Sequence, residues 1–251
     1  MDRNSHFIGF PAFLGRTVFR LFFLFAAAIV FGQTAADFNV ALTEDGKGVV
    51  ITQYTGKATR VRIPSTIQNM PVKEIGPYAF NPAPSRLRNI VNVTSVIIPD
   101  GVTVIGDNAF MMQQQLGSIT IPSSVKIMGN GVFLNCSKLT DITIPRGVTR
   151  IGDQAFSGCI ALKSISLPEG LTEINDSAFS SCKALSSIAF PSTLKKLGLE
   201  AFANCTSLTT ITIPDSLKTI EFVGWNQFIG CSRLSLTSQA ALKRLGYTHS
   251  F

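Results

Sequence analysis

Ile144-Pro145-Arg146-Gly147-Val148-Thr149-Arg150-Ile151-Gly152-Asp153-Gln154-Ala155-Phe156-Ser157-Gly158-Cys159, followed by Leu162, Ile165 and Leu167, is one turn of a repeat. Twenty-three residues later Pro168, Phe179, Cys182 and Leu185 hold the same places. Reading outward, apolar-Pro pairs recur at Pro99, Pro122, Pro145, Pro168, Pro191 and Pro214. Phe110, Phe133, Phe156, Phe179 and Phe202 keep the same step, as do Leu116, Leu139, Leu162, Leu185 and Leu208. Cys136, Cys159, Cys182 and Cys205 complete the pattern. Four residue types held in phase over successive periods mark a stacked repeat array.

Elementary chemistry assigns each part of the unit. Leu139-x-x-Ile142-Thr143-Ile144 alternates inward and outward positions, so it predicts a short strand. Pro145 has no amide donor and ends that strand. Val148 and Ile151 place a second extended piece against the interior, and Gly152 permits the bend after it. Asp107, Asn130, Asp153 and Asp176 form one column before Ala-Phe, where the side chain suits the start of a single helical turn. Phe156 and Cys159 would then share one inward face. A lone unit cannot bury enough apolar surface to offset the entropy of ordering it, so units must stack. The expected fold is an α/β repeat solenoid with short parallel strands.

The run L-x-x-I-x-I-P resembles the strand of leucine-rich repeats. The wider pattern I-P-x-x-V-x-x-I-G-x-x-A-F-x-x-C-x-x-L is similar to the BspA-like, Treponema pallidum-type leucine-rich repeats, and covers about residues 59–236. Gly101, Gly147 and Gly170 stand where ordinary leucine-rich repeats carry an Asn/Cys ladder, a departure the BspA-like type shares. The resemblance implies a surface protein associated with adhesion to host proteins or other cells.

The flanks depart from the period. Phe38–Leu42 and Val49–Ile51, separated by Glu44-Asp45-Gly46-Lys47-Gly48, predict a β-hairpin cap over 37–58. The first unit is stretched by insertions near Asn69-Met70-Pro71 and across Asn81–Arg88, and the last by three residues around Trp225. Such insertions become loops. Residues 237–251 predict a helix that caps the open end, with Ala241, Leu242 and Leu245 inward, and then a tail that frays. At the other end, Arg16 and Arg20 precede the apolar run Leu21–Phe31, and Thr34 and Ala36 are small. A bilayer-spanning helix needs roughly 20 residues, so 1–36 reads as a secretory signal, with no membrane span after its removal.

With 45% hydrophobic residues and only 15% charged, the chain is not of the disordered class. No nucleophile elbow, phosphate loop, dinucleotide fingerprint or zinc-protease motif occurs. The two histidines are His6 and His249, both near the ends. The expectation is a protein that is not an enzyme, with no cofactor, no catalytic residue and no metal site. The five cysteines, Cys231 included, predict a buried ladder of free thiols. Export and the lack of aromatic-basic interleaving argue against nucleic acid.

Two surfaces remain. Outward strand positions hold Arg62, Ile97, Thr120, Thr143, Ser166, Ala189 and Thr212, flanked by Ser118, Asp141, Ser164, Ser187 and Thr210. A second stripe holds Lys126, Arg150, Lys195, Lys196 and Lys218, interrupted by Glu173. The expected ligand-binding residues are Thr120, Thr143, Ser166 and Thr212 on the strand face, with Arg86 and Arg88 on the largest loop. The expected partner is an extracellular protein or glycan. A structural surface module without a tight ligand, and a glycan-active enzyme, are the alternatives.

Overall fold

The computed structural model describes residues 33–81 and 91–251. The expected leader, apart from its last four residues, lies outside the described residues, and so do Arg86 and Arg88.

The chain opens with β1 (Phe38–Leu42) and β2 (Val49–Tyr54), the antiparallel hairpin expected at this end. Next come β3 (Arg60–Arg62), β4 (Thr66–Ile67) and β5 (Met70–Ile75). β4 and β5 pair antiparallel across Gln68 and Asn69, with φ of 53° and 62°. Two left-handed residues in a row are what a two-residue hairpin turn requires, so the extra residues before Pro71 fold into a small hairpin of their own.

From there each unit contributes a three-residue strand and a two-residue strand. The pairs are β6 (Ser95–Ile97) with β7 (Val104–Ile105), β8 (Ser118–Thr120) with β9 (Ile127–Met128), and β10 (Asp141–Thr143) with β11 (Arg150–Ile151). They continue as β12 (Ser164–Ser166) with β13 (Glu173–Ile174), β14 (Ser187–Ala189) with β15 (Lys196–Leu197), and β16 (Thr210–Thr212) with β17 (Glu221–Phe222). Helix α1 (Leu236–Arg244) follows the last unit. Each unit is one full turn of a solenoid, so equivalent strands run parallel, as in β6 with β8 and β13 with β15.

The interior is built from the repeated columns. Phe110, Phe133, Phe156, Phe179, Phe202 and Phe228 are fully buried, as are all five cysteines and Leu116, Leu139, Leu162, Leu185 and Leu208. The Phe rings stack face to face, 5.3 Å apart for Phe133–Phe156, 5.2 Å for Phe156–Phe179 and 5.1 Å for Phe179–Phe202. Tyr54 of β2 begins this stack on Phe80, and Tyr247 ends it edge-on to Phe228, at 87° between planes. Tyr247 is buried and its hydroxyl donates to the Ser250 carbonyl. The tail expected to fray is instead anchored, because Tyr247 completes the column and Phe251 packs against Tyr247 and Phe228.

The single helical turn predicted in each unit is absent. The chain makes successive four-residue turns instead, with Met111 N–H donating to the Asn108 carbonyl and Gln113 N–H to the Phe110 carbonyl. Two left-handed residues interrupt every unit, Asn108 and Met112 in one, Gln154 and Gly158 in another. A right-handed helix cannot pass through them. The Asp/Asn column therefore caps something else. Asp107 accepts from the Asn130 amide at 2.7 Å, Asn130 from the Asp153 amide at 2.9 Å, and Asp176 from the Leu199 amide at 2.8 Å. These three side chains each satisfy an amide of the next unit.

Candidate binding face

The three-residue strands make one surface of the solenoid. In β10, β12, β14 and β16 the central isoleucine is buried and both flanking residues are exposed. This is the period of two that every strand obeys. Thr143 stands opposite Ser166, Thr120 opposite Ile97, and Thr212 opposite Ala189. Ser118, Ser164, Ser187 and Thr210 form the parallel row. The structure thus places Thr120, Thr143 and Ser166 on successive strands of the face and Thr212 two strands further on, past Ala189 of β14, all four exposed. Only Thr143 and Ser166 are direct partners in register. Arg60 and Arg62 lie exposed at the first strand of this face.

The basic stripe is less basic than its residues suggest. Arg150 is in register with Glu173, Glu173 with Lys196, and Lys196 with Glu221. Signs alternate along the short strands, and Glu221, missing from the sequence reading, is the residue that completes the alternation. Opposite charges on neighbouring strands support the ladder and cancel each other's distant field. Lys126, Lys195 and Lys218 stand exposed outside this alternation.

The cysteines carry no exposed chemistry. Each thiol donates to the carbonyl of the Phe in the preceding unit: Cys136 to Phe110, Cys159 to Phe133 and Cys182 to Phe156, all at 3.2 Å. Cys205 and Cys231 do the same to Phe179 and Phe202 at 3.1 Å. The thiol is small enough for the core and still supplies one donor to a buried carbonyl. Burial pushes the Cys159 thiol up to about 12 and raises those of Cys136 and Cys182 well above the usual range. A protonated, buried thiol is not a nucleophile.

Sequence reasoning passed over Gln113, which sits one period before Cys136 and is fully buried. Its amide donates to the Phe80 carbonyl and accepts from the Val93 amide. It does the work of the thiol where the stretched first unit leaves a second group to satisfy. The signal was available, since this is the one polar residue in the Cys column, in the unit that follows the stretched one. The exposed Trp225, by contrast, lies in the turn after β17, outside the strands of this face.

Against known proteins, the sequence matches the BspA type leucine rich repeat region in six copies, over 53–149, 73–183 and 127–249. The structure of the T. pallidum leucine rich repeat protein TpLRR is 32% identical, with TM-score 0.79, covering 87% of this chain and 98% of that one. A leucine rich cell surface protein from Faecalibacterium prausnitzii A2-165 is 31% identical with TM-score 0.57. That match covers 72% of this chain and spans about half, 54%, of the other. The pneumococcal vaccine antigen PcpA, 20% identical with TM-score 0.57 over 72% of this chain and 49% of that one, shares the fold. No curated protein matches. With the repeat region matched over most of its length and the same columns forming its core, this chain belongs to the BspA-type leucine-rich repeat family.

Proposed function

We infer that the chain is an exported or cell-surface repeat protein that binds an extracellular protein or glycan non-covalently, in adhesion to a host or to other cells. The observation that carries this reading is the strand face itself. Six of the seven stacked strands present short hydroxyl side chains outward, with Ile97 and Ala189 the apolar exceptions and Arg60 and Arg62 on β3. Such a surface offers many shallow contacts along one direction, which suits an extended macromolecule better than an enclosed small molecule. It holds no exposed aromatic anchor, so affinity rests on the sum of many contacts and is modest. The apolar run Leu21–Phe31 behind Arg16 and Arg20 supports export, and the family includes a protein described as a cell surface protein. No described helix is long and apolar enough to cross a membrane.

The test is capture of extracellular-matrix proteins and glycans by the purified chain, with two variants. Thr143→Glu with Ser166→Glu places charge at the centre of the face. Arg86→Ala with Arg88→Ala changes the largest loop. A matrix ligand retained by the parent and lost by the first variant supports the strand face, and loss only in the second moves the site to the loop. Retention of no component at all overturns the binding reading in favour of a structural surface module.

A further inference from the structure

The ladder beneath the binding face is interrupted. Its strands pair as β3-β6-β8, β10-β12 and β14-β16, and the second ladder pairs as β5-β7-β9 and β11-β13-β15-β17. Only between β8/β9 and β10/β11 do both ladders open at the same junction. The missing bonds are identifiable by comparison. Ile98 N–H donates to the Thr120 carbonyl at 3.1 Å, Ile144 N–H to that of Ser166 at 3.3 Å, and Phe190 N–H to that of Thr212 at 2.9 Å. The equivalent bond from Ile121 N–H to the Thr143 carbonyl is not made. The two units stay joined through the Phe133–Phe156 stack, the Cys159 thiol and the Asn130–Asp153 bond.

The opening is an accessible cleft of about 220 Å3, walled by Ser118–Ile121 on one side and Asp141–Thr143 on the other. Ile119 is half-buried at this site, while its counterparts Val96, Ile142, Ile188 and Ile211 are all buried. The cleft thus reaches an aliphatic floor. Asp141 supplies the one carboxylate among the outward positions of the seven strands. Its Oδ2 accepts from the Thr140 hydroxyl at 2.8 Å, and no described residue bonds Oδ1.

These features select a ligand chemistry. Ile121 N–H is a donor, Thr143 C=O and Asp141 Oδ1 are acceptors, and the hydroxyls of Ser118, Thr120 and Thr143 are both. Polar groups left open in this way gain from a ligand that satisfies them. A partner must offer several donors and acceptors on one small rigid unit, with an apolar edge for Ile119. A neutral sugar ring does so, since adjacent hydroxyls donate to a carboxylate and accept from an amide while its C–H groups meet the aliphatic floor. An anionic sugar would meet the Asp141 charge. The volume is below the roughly 300–1,000 Å3 of a pocket that engulfs a drug-sized molecule, so it holds one ring of a longer chain. We propose that the opening between β8 and β10 is a subsite for one neutral sugar ring of an extracellular glycan. This rests on the reading of the strand face as the binding surface and names its ligand class.

The test uses the full chain from Gln33 onward, with serum albumin carrying mannose, galactose, glucose or N-acetylglucosamine, and with bare and sialylated albumin as comparisons. At least one neutral conjugate is expected to be retained and to be displaced by its free methyl glycoside. Asp141→Asn and Thr143→Val should each weaken retention tenfold or more, while Thr206→Val, at an exposed turn outside the strand face, leaves it unchanged. In the parent chain the same glycoside should slow hydrogen exchange of the amides in 118–121, a reading that needs no variant. Failure of every neutral conjugate to bind, retention of the sialylated one alone, or binding unmoved by both variants would each overturn the subsite. If a matrix protein is captured while all neutral conjugates pass through, the subsite falls and the binding face stands. If nothing is captured, both fall.

Discussion

The two ends of the solenoid are closed by different means. At the N-terminal end β2 pairs in parallel with β5, so the hairpin extends the second ladder by main-chain bonds. Among the described residues the first ladder has no such strand beyond β3. There the Gln33 amide donates to the Arg60 carbonyl and accepts from Arg62 N–H, at 2.6 and 2.8 Å, in the manner of a strand one residue long. At the C-terminal end no strand is added to either ladder. Helix α1 lies over the last unit with Leu242 buried, and Leu245 and Tyr247 follow it into the core. The Ser238 hydroxyl accepts from Ile211 N–H at 3.0 Å and so satisfies the edge strand β16. An N-terminal cap can imitate the repeat, while the C-terminal cap buries what a further unit would have covered. The outer edges of β3 and β16 are plugged by one side chain each, which blunts them against pairing with other chains.

This contrast predicts unequal losses. Deleting residues 237–251 removes Leu242, Leu245 and Tyr247 and uncovers Phe228 and Leu234. At about 1.5–3 kcal/mol per buried side chain the loss should reach about 5–9 kcal/mol. A large fall in urea midpoint with aggregation is the expected result, and a truncated chain that melts like the parent would show that α1 is no cap.

Within the aromatic column, the middle should matter more than the start. Phe156→Ala is expected to cost about 3–5 kcal/mol, because it opens a cavity between two stacked rings. Tyr54→Ala, at a half-buried ring, should cost clearly less in the same denaturation series. Equal losses would mean that the hairpin is as tightly packed as the centre.

Alkaline pH should strain the thiol column. Burial holds the Cys159 thiol at about 12 against an ordinary value of 9.0. The folded state therefore favours the proton. The stabilisation is complete below pH 9 and is lost as pH rises from about 9 toward 12, at up to about 1.4 kcal/mol per pH unit per thiol. Native thiols should react slowly at pH 8 and rapidly once unfolded. Cys159→Ala should flatten the alkaline slope while costing about 1–2 kcal/mol at neutral pH. Rapid labelling of all five in the native chain would contradict the buried column.

The smallest effects should come from the plugs. Gln33→Ala and Ser238→Ala each free a strand edge and should cost about 0.5–2 kcal/mol in thermal or urea unfolding. The first bears on export as well. A leader cut after Ala36 would remove Gln33 and Thr34, whose amide is held by the Asp37 carboxylate. N-terminal sequencing of exported protein is expected to find Gln33 retained, and a start at Asp37 would show the plug to be dispensable.

What was legible in the sequence was whatever repeats. The Phe, Leu and Cys columns, the strand before each Pro and the outward hydroxyls all follow from residues that recur every 23 positions. The turn was misread because Asp before Ala-Phe is equally suited to a helix start and to an amide of the next unit. Left-handed residues as unlike as Asn108, Gln154 and Glu200 carry no common side-chain signature. Gln33, Ser238 and Tyr247 make single contacts across long separations, which periodicity does not mark. Nor does it mark the break between β8 and β10, where the residues conform to the repeat and the pairing does not.

The thiol column also has a direction. Every Cys donates toward the N-terminus, to a carbonyl in the unit made before it, while turn amides such as Phe179 N–H and Phe202 N–H donate forward, to Ala201 and Gln227. A chain synthesised from its N-terminus thus brings each new thiol to an acceptor that already exists. It leaves turn amides such as these waiting for the unit still to come. The growing end is always the unsatisfied end, and assembly has an order in time built into its bonds, closed only when Tyr247 arrives.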